Sequence, residues 1–441
     1  MAVAKESITL YLLLTMFCLY AFPQPIHAAE LAERFLRVPV FFITDRNLEP
    51  TKTGEVDFGP HRKYLGDCKH EPFMGSAYCV VENLEKKPLS DHLKNLGWSK
   101  AAVSDKVGAF KITPLTDDSF DKVQDTFYGS VREKALQTED KNIFLFAHGY
   151  KNPFHGALRT AATLAYNAER PVIFYSWPSV AKLRSYTSDE NNVEWSQEHF
   201  NDVIARLEKL CTDEQSLKVR LMAHSMGTRL LVRATPLLRE KKHIVETALI
   251  CPDVDDGLVK HYARRYLSVK GTTVIRLYMS QRDKALVLSQ FVHGGYTRLG
   301  EHADAIGSWV TKTLSGQSPE GERQAASIED AEFADRLAKT KKRMQTIDFT
   351  DIDTGPIGHH IPAKLICSMS FTNDPGSGLS LISEESGQRN KFSNLFTKLS
   401  KLKSTDQLAP TGEVMRVVKV DSVKGRAKST MGVKGIEKGD H

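Results

Sequence analysis

An α/β architecture, with a mainly parallel central sheet and helices on both of its faces, is what this sequence predicts. Two observations carry the expectation. From residue 142 onward, short apolar runs of strand-forming residues alternate with longer segments of helical character. At the centre of that rhythm, Val219 to Met222 reads as a buried strand that turns at Ala223-His224-Ser225-Met226-Gly227 straight into a helix. Parallel neighbours need crossovers, and right-handed crossovers through helices cover both faces of the sheet.

Taken in order, the chain opens with Lys5 and an apolar run from Ile8 to Phe22, which Pro23 and Pro25 interrupt. Ile26-His27-Ala28 before Ala29 offers small residues for cleavage. Residues 1–28 therefore read as a signal peptide and the protein as exported, periplasmic or secreted, with an uncleaved membrane anchor as the alternative. Cys18 follows a bulky Phe17, which argues against lipid modification.

Residues 29–375 are expected to form the main domain, with a loop-rich N-terminal extension over 45–130. Arg37 to Arg46 reads as a first strand ending in a polar turn, and 50–76 as an irregular surface loop. Further strands are expected at Ala77–Val81 and Val107–Leu115, with a helical turn within Pro88–Ser104. The regular part then places strands at Ile143–Ala147, Val172–Tyr175, Val219–Met222, Thr247–Ile250 and Val274–Tyr278. Helices fall at Ala157–Glu169, Glu198–Leu210, Thr228–Leu238 and Gly257–Tyr266. Residues 315–343 read as a charged insertion and Gln345–Phe349 as a weaker last strand. Residues 376–441 read as a basic, mobile tail too poor in apolar residues to offset ordering, in which Val414–Val420 could add a strand.

Composition narrows the function classes. The chain of 441 residues is 41% hydrophobic and 26% charged with a net charge of +6, ordinary for a globular protein. No basic stripe with interleaved aromatics occurs, so nucleic acid is not an expected partner. Removal of Cys18 would leave five cysteines. Export would permit a Cys68–Cys79 bridge, whereas Cys211, Cys251 and Cys367 fall in or beside apolar stretches and read as buried thiols. The spacing of Cys68, His70 and Cys79 matches no usual metal pattern, and no metal or organic cofactor is expected.

In a parallel sheet, ligands bind beyond the carboxyl ends of the strands, so the residues after each strand are the ones to inspect. Ser225 stands at the tip of a sharp strand-to-helix turn, where Gly227 and the small Ala223 allow close backbone approach. His148-Gly149-Tyr150 follows the strand at 143–147. Its bend would let the Tyr150 amide, with that of Met226, face a developing oxyanion. The polar stretch from Ser176 to Gln197, with Tyr186, Asp189 and Trp195, reads equally as a cap over the site or as an ordinary loop. Asp283 follows the strand at 274–278 and is the expected acid, with Asp253 and Asp255 as alternatives. Gly358-His359-His360 follows the last strand, with His359 the expected base and His360 the alternative. His224 is expected to pack behind the turn, and His148 to shape its loop. A serine hydroxyl attacks only when a base removes its proton, and the base needs a carboxylate to fix its tautomer.

Six blocks in this order resemble a bacterial family of alpha/beta hydrolases, esterase- or lipase-like and mostly of unknown function. They are Val38 to Asn47, Phe146 to Tyr150, Tyr175 to Ser179, Ala223 to Gly227, Pro252 to Asp255 and Arg298 to Gly300. The resemblance spans roughly residues 38 to 362. It implies the alpha/beta-hydrolase fold and a serine hydrolase with Ser225, Asp283 and His359 as its triad. Ala223 departs from the glycine usual in the hydrolase motif; the doubled histidine, the charged insertion and the long tail depart as well. The expected substrate is a small-molecule ester or acyl compound cleaved through an acyl-enzyme, with thioesters and amides as alternatives. A different class, a non-catalytic binding or envelope-associated protein on this scaffold, would use the basic tail for weak contact with anionic surfaces.

Overall fold

The computed structural model describes residues 34–371, apart from 52–54, 65–70, 103, 118, 239–240, 259–272, 302–343 and 351–356, together with the backbone of 416–419. The signal peptide, Cys68, most of the helix expected at Gly257–Tyr266, the charged insertion and nearly all of the tail lie outside the described residues.

The first part of the described chain comprises β1 (Phe35–Thr44), β2 (Arg46–Pro50), β3 (Val56–Arg62), β4 (Phe73–Glu82), α1 (Asp91–Asn95), β5 (Ser99–Lys100) and β6 (Phe110–Pro114). The regular part follows as α2 (Phe120–Leu136), β7 (Asn142–Ala147), α3 (Phe154–Ala168), β8 (Val172–Ser176), α4 (Tyr186–Trp195), α5 (Gln197–Asp213) and β9 (Lys218–His224). After a 3-10 turn at Ser225–Gly227 come α6 (Thr228–Ala234), β10 (Ile244–Ile250), β11 (Val274–Met279), α7 (Lys284–Val292), β12 (Met344–Asp348), α8 (Ala363–Phe371) and β13 (Arg416–Lys419).

The main sheet runs in the order β13-β12-β11-β10-β9-β7-β8-β1-β4-β6, with β5 beside β1. Every pairing from β13 through β1 is parallel, and β4, β5 and β6 add antiparallel pairings. The expected parallel sheet is thus present, widened by an antiparallel flank. The stretch expected to be an irregular loop over 50–76 instead holds β3, which pairs with β2 in a separate hairpin, and the start of β4. Gly59 and Pro60 sit inside β3, residues that a two-stranded edge accommodates but a central strand does not.

Each face of the sheet carries its own apolar core. On one, α5 presents Phe200, Val203, Ile204, Leu207 and Cys211, a three-four spacing that forms one helical stripe, beside Phe127, Val131 and Ala135 of α2. On the other, α3 buries Leu158 beside Ala157, Ala161, Ala162 and Ala165, small residues that let the helix lie close to the strands, together with α8. From β7 the chain steps outward to β8 and then returns past β7 to β9. The strand order therefore reverses at the β7–β9 junction, where ligands of such sheets bind.

Three of the cysteines expected to be buried thiols are so: Cys211, Cys251 and Cys367. Cys79 is a fourth. It is a buried thiol inside β4 whose pKa burial pushes up to about 11, while Cys68, its expected bridge partner, lies outside the described residues.

Candidate active site

Ser225 occupies the turn at the end of β9 with φ +51°, a left-handed conformation that a non-glycine residue adopts only when its surroundings impose it. The surroundings are close-packed. A Cβ on Gly227 would stand 2.2 Å from the His148 carbonyl oxygen and 3.0 Å from that of Ala147. A Cβ on Gly149 would stand 2.7 Å from Ser225 Cβ. The two glycines therefore let the β7 loop and the β9 turn meet at the switch point. The Ser225 carbonyl is held by Thr228 Oγ1 at 2.5 Å and by the Asp253 amide at 3.3 Å. Neither the Tyr150 nor the Met226 amide has an acceptor among the described residues.

Asp283 and His359 meet from neighbouring loops. His359 Nδ1 lies 2.6 Å from Asp283 Oδ2, with both side chains nearly buried. Asp283 is also the N-cap of α7, its Oδ1 accepting from the amides of Ala285 at 3.1 Å and Leu286 at 3.0 Å. Gly358 has φ +69°, and a Cβ there would fall 2.3 Å from the Arg282 carbonyl oxygen. The Lys284 amide donates to the Ile357 carbonyl at 2.8 Å, closing one loop on the other. The His359 ring lies 4.8 Å from that of His224, the residue before Ser225. Ser225 Oγ itself makes no hydrogen bond among the described residues, so the serine–imidazole contact is not closed here.

The alternatives stand elsewhere. His360 packs edge-on against Phe349 at 5.9 Å. Asp253 is buried and accepts from Ser289 Oγ at 2.5 Å and from the Tyr186 hydroxyl, with Arg229 and Arg298 beyond at 3.7 and 3.6 Å. It ties α4 to α7. Asp255 Oδ1 accepts the Leu258 amide at 3.0 Å, a capping role. His224 does not pack behind the turn as expected but against His359, and burial, reinforced by His359, His360 and His148, holds its pKa well below the ordinary value.

The supporting role of Arg46 is not evident from the sequence. Arg46 is fully buried and donates to Ser176 Oγ at 2.8 Å and to the carbonyls of Asn152, Ser179 and Gly59 at 2.7, 3.0 and 3.2 Å. It thereby binds the loops after β1, β7 and β8 into one unit. His148 does shape its loop. Its Nδ1 is 2.9 Å from the Gly149 carbonyl oxygen, and its ring stacks on Trp177. Burial and the adjacent Arg46 push its pKa down to about 3. The stretch from Ser176 to Gln197 holds α4. Asp189 accepts from Ser179 Oγ at 2.5 Å, the Val180 amide at 2.7 Å and the Lys151 amide at 3.3 Å, and the Tyr150 and Tyr186 rings are 5.0 Å apart. Among the described residues, one group has ligand atoms close enough to hold a metal ion: His224, Cys251 and His359.

No curated protein matches the chain. The family model described as "Alpha/beta hydrolase of unknown function (DUF900)" matches residues 124–315, which include Ser225, Asp283 and both glycines of the switch point. With the mainly parallel sheet and its flanking helices, residues 124–315 are similar to that alpha/beta-hydrolase family.

Proposed function

We propose that this hydrolase scaffold is a serine esterase that cleaves small carboxylic esters through an acyl-enzyme. The observation that carries the reading is the Asp283–His359 pair, 2.6 Å apart, beside a serine in a left-handed strand-to-helix turn. Ser225 Oγ attacks the ester carbonyl carbon while His359 Nε2 takes its proton. Asp283, holding Nδ1, keeps the imidazole in the right tautomer and stabilises the imidazolium. The amides of Tyr150 and Met226 donate to the tetrahedral oxyanion, each worth about 3–4 kcal/mol in the transition state. Collapse expels the alcohol, which takes the proton from His359. Water, deprotonated by His359, then attacks the acyl-enzyme, and a second collapse frees Ser225 and the carboxylic acid.

Apolar side chains near the site favour an acyl group of some length. Val287, Leu288, Phe291 and Val292 are exposed on α7, the helix that begins beside Asp283, and Ile357 is exposed beside His359. In this proposal the reaction takes place outside the cytoplasm, a reading that the apolar run from Ile8 to Phe22 supports. A fluorophosphonate probe should label the folded wild-type protein at Ser225 and leave Ser225→Ala unlabelled. Equal labelling of the two proteins would overturn the assignment.

A further inference from the structure

Ser225 and Cys251 are the first residues beyond two adjacent parallel strands, β9 and β10, whose last residues His224 and Ile250 are paired in register. Both leave their strand through a left-handed backbone, φ +51° and +44°. Such conformations in non-glycine residues persist only where the fold imposes them, and they concentrate at functional sites. The acyl-transfer chemistry uses Ser225 but gives no task to Cys251 or to His224. Cys251 is a fully buried thiol outside any disulfide. His224 directs Nδ1 toward Gly149, where a Cβ would stand 2.9 Å from it, while its Nε2 is buried with no hydrogen-bond partner among the described residues. His359 gives Nδ1 to Asp283, so Nε2 is its remaining nitrogen.

We infer that His224, Cys251 and His359 form a binding site for a zinc ion at the mouth of the β9–β10 junction, and that zinc and acyl transfer exclude one another. One ligand atom from each residue lies within 4.8 Å of the other two. A tetrahedral zinc bound at ordinary nitrogen and sulfur distances separates its ligand atoms by about 3.3–3.6 Å, so closing the site asks for shifts on the order of 1 Å. Two imidazoles and one thiolate are borderline-soft donors suited to zinc and not to magnesium or calcium. Asp283 behind His359 supplies the carboxylate–histidine arrangement that orients metal-bound imidazoles. Binding displaces the Cys251 thiol proton to solvent and leaves the fourth position to water or Ser225 Oγ. The exclusion follows because the nitrogen that would take the serine proton is then occupied by the metal. That half of the inference rests on the esterase reading; the metal site does not.

The purified full chain is titrated with cobalt as an optical stand-in for zinc. The expected result is one equivalent of a tetrahedral cobalt spectrum with a thiolate charge-transfer band, displaced by zinc. The band should vanish in both Cys251→Ser and Cys251→Ala, and affinity should fall by about 10-fold or more in His224→Asn. Far-UV circular dichroism checks that each variant is folded, and a misfolded serine variant leaves the alanine variant to decide. No band in the wild type, or the same band in folded Cys251→Ala, would overturn the site. In ester turnover, zinc should inhibit the wild type at least about tenfold, reversibly by chelator, while Cys251→Ala escapes. Loss of wild-type activity on chelation would overturn the exclusion. If no ester is turned over, the optical titration still decides the metal site.

Discussion

Asp283 serves two partners through different oxygens: Oδ1 caps α7 and Oδ2 holds His359. The two contributions can be separated by substitution. An asparagine retains an oxygen for the helix amides but cannot stabilise an imidazolium. Asp283→Asn should therefore lower kcat by about 10⁴ while changing stability little. Asp283→Ala loses the cap as well and should cost about 1 kcal/mol more in urea unfolding. If Asp283→Asn kept activity within tenfold of the wild type, the carboxylate would not be the acid of the relay.

At the scale of elements, strand ends were legible because their residues announce the turn chemistry. Gly149, Gly227 and Gly358 each occupy a place where a side chain would meet backbone or Ser225, and all three flank the residues singled out from the sequence. The blocks Val38 to Asn47 and Tyr175 to Ser179 meet in space because Arg46 binds Ser176 and Ser179, a link that linear order does not display. The β2–β3 hairpin was hidden by its Gly and Pro. Helix α2 was hidden by its solvent face, although Phe127, Val131 and Ala135 carry the helical spacing.

Strand register was illegible too, and with it the buried ion cluster at Glu246. β9, β10 and β11 bring Arg220 to 2.5 Å and Arg276 to 2.6 Å from the two oxygens of that carboxylate, and Ser370 Oγ adds 3.0 Å. Burial alone would push the carboxyl pKa up, but Arg276 and Arg220 outweigh it and hold it below the ordinary value. Glu246→Gln leaves two interior guanidinium groups without a counter-charge and should cost about 3–5 kcal/mol by denaturant unfolding. Turnover per folded molecule should stay unchanged, since the cluster lies toward the opposite ends of the strands from Ser225. A loss under about 1 kcal/mol would mean that solvent reaches the arginines.

For the molecule as a whole, the site rests on imidazoles that the fold keeps neutral, and this makes stability depend on pH. Burial and Arg46 push His148 down to about 3, and burial together with its histidine neighbours pushes His224 well below its ordinary value. In the unfolded chain both return to about 6.5. Between those limits the unfolded state binds protons that the folded state refuses. Stability is therefore complete above about pH 6.5 and falls as the pH drops toward 3, by up to about 1.4 kcal/mol per pH unit for His148, with His224 adding in the same direction. Asp189 opposes the trend, since burial raises its carboxyl pKa despite its hydrogen bonds. Stabilities from urea unfolding at about pH 7 and pH 5 should differ by about 2 kcal/mol from His148 alone, and by more with His224. His148→Gln, which removes one titrating ring while keeping polar atoms near Arg46, should be less stable at neutral pH yet lose less on acidification. Equal wild-type stability at the two pH values would show that these rings take up protons inside the fold, and the neutral scaffold behind the switch point would have to be abandoned.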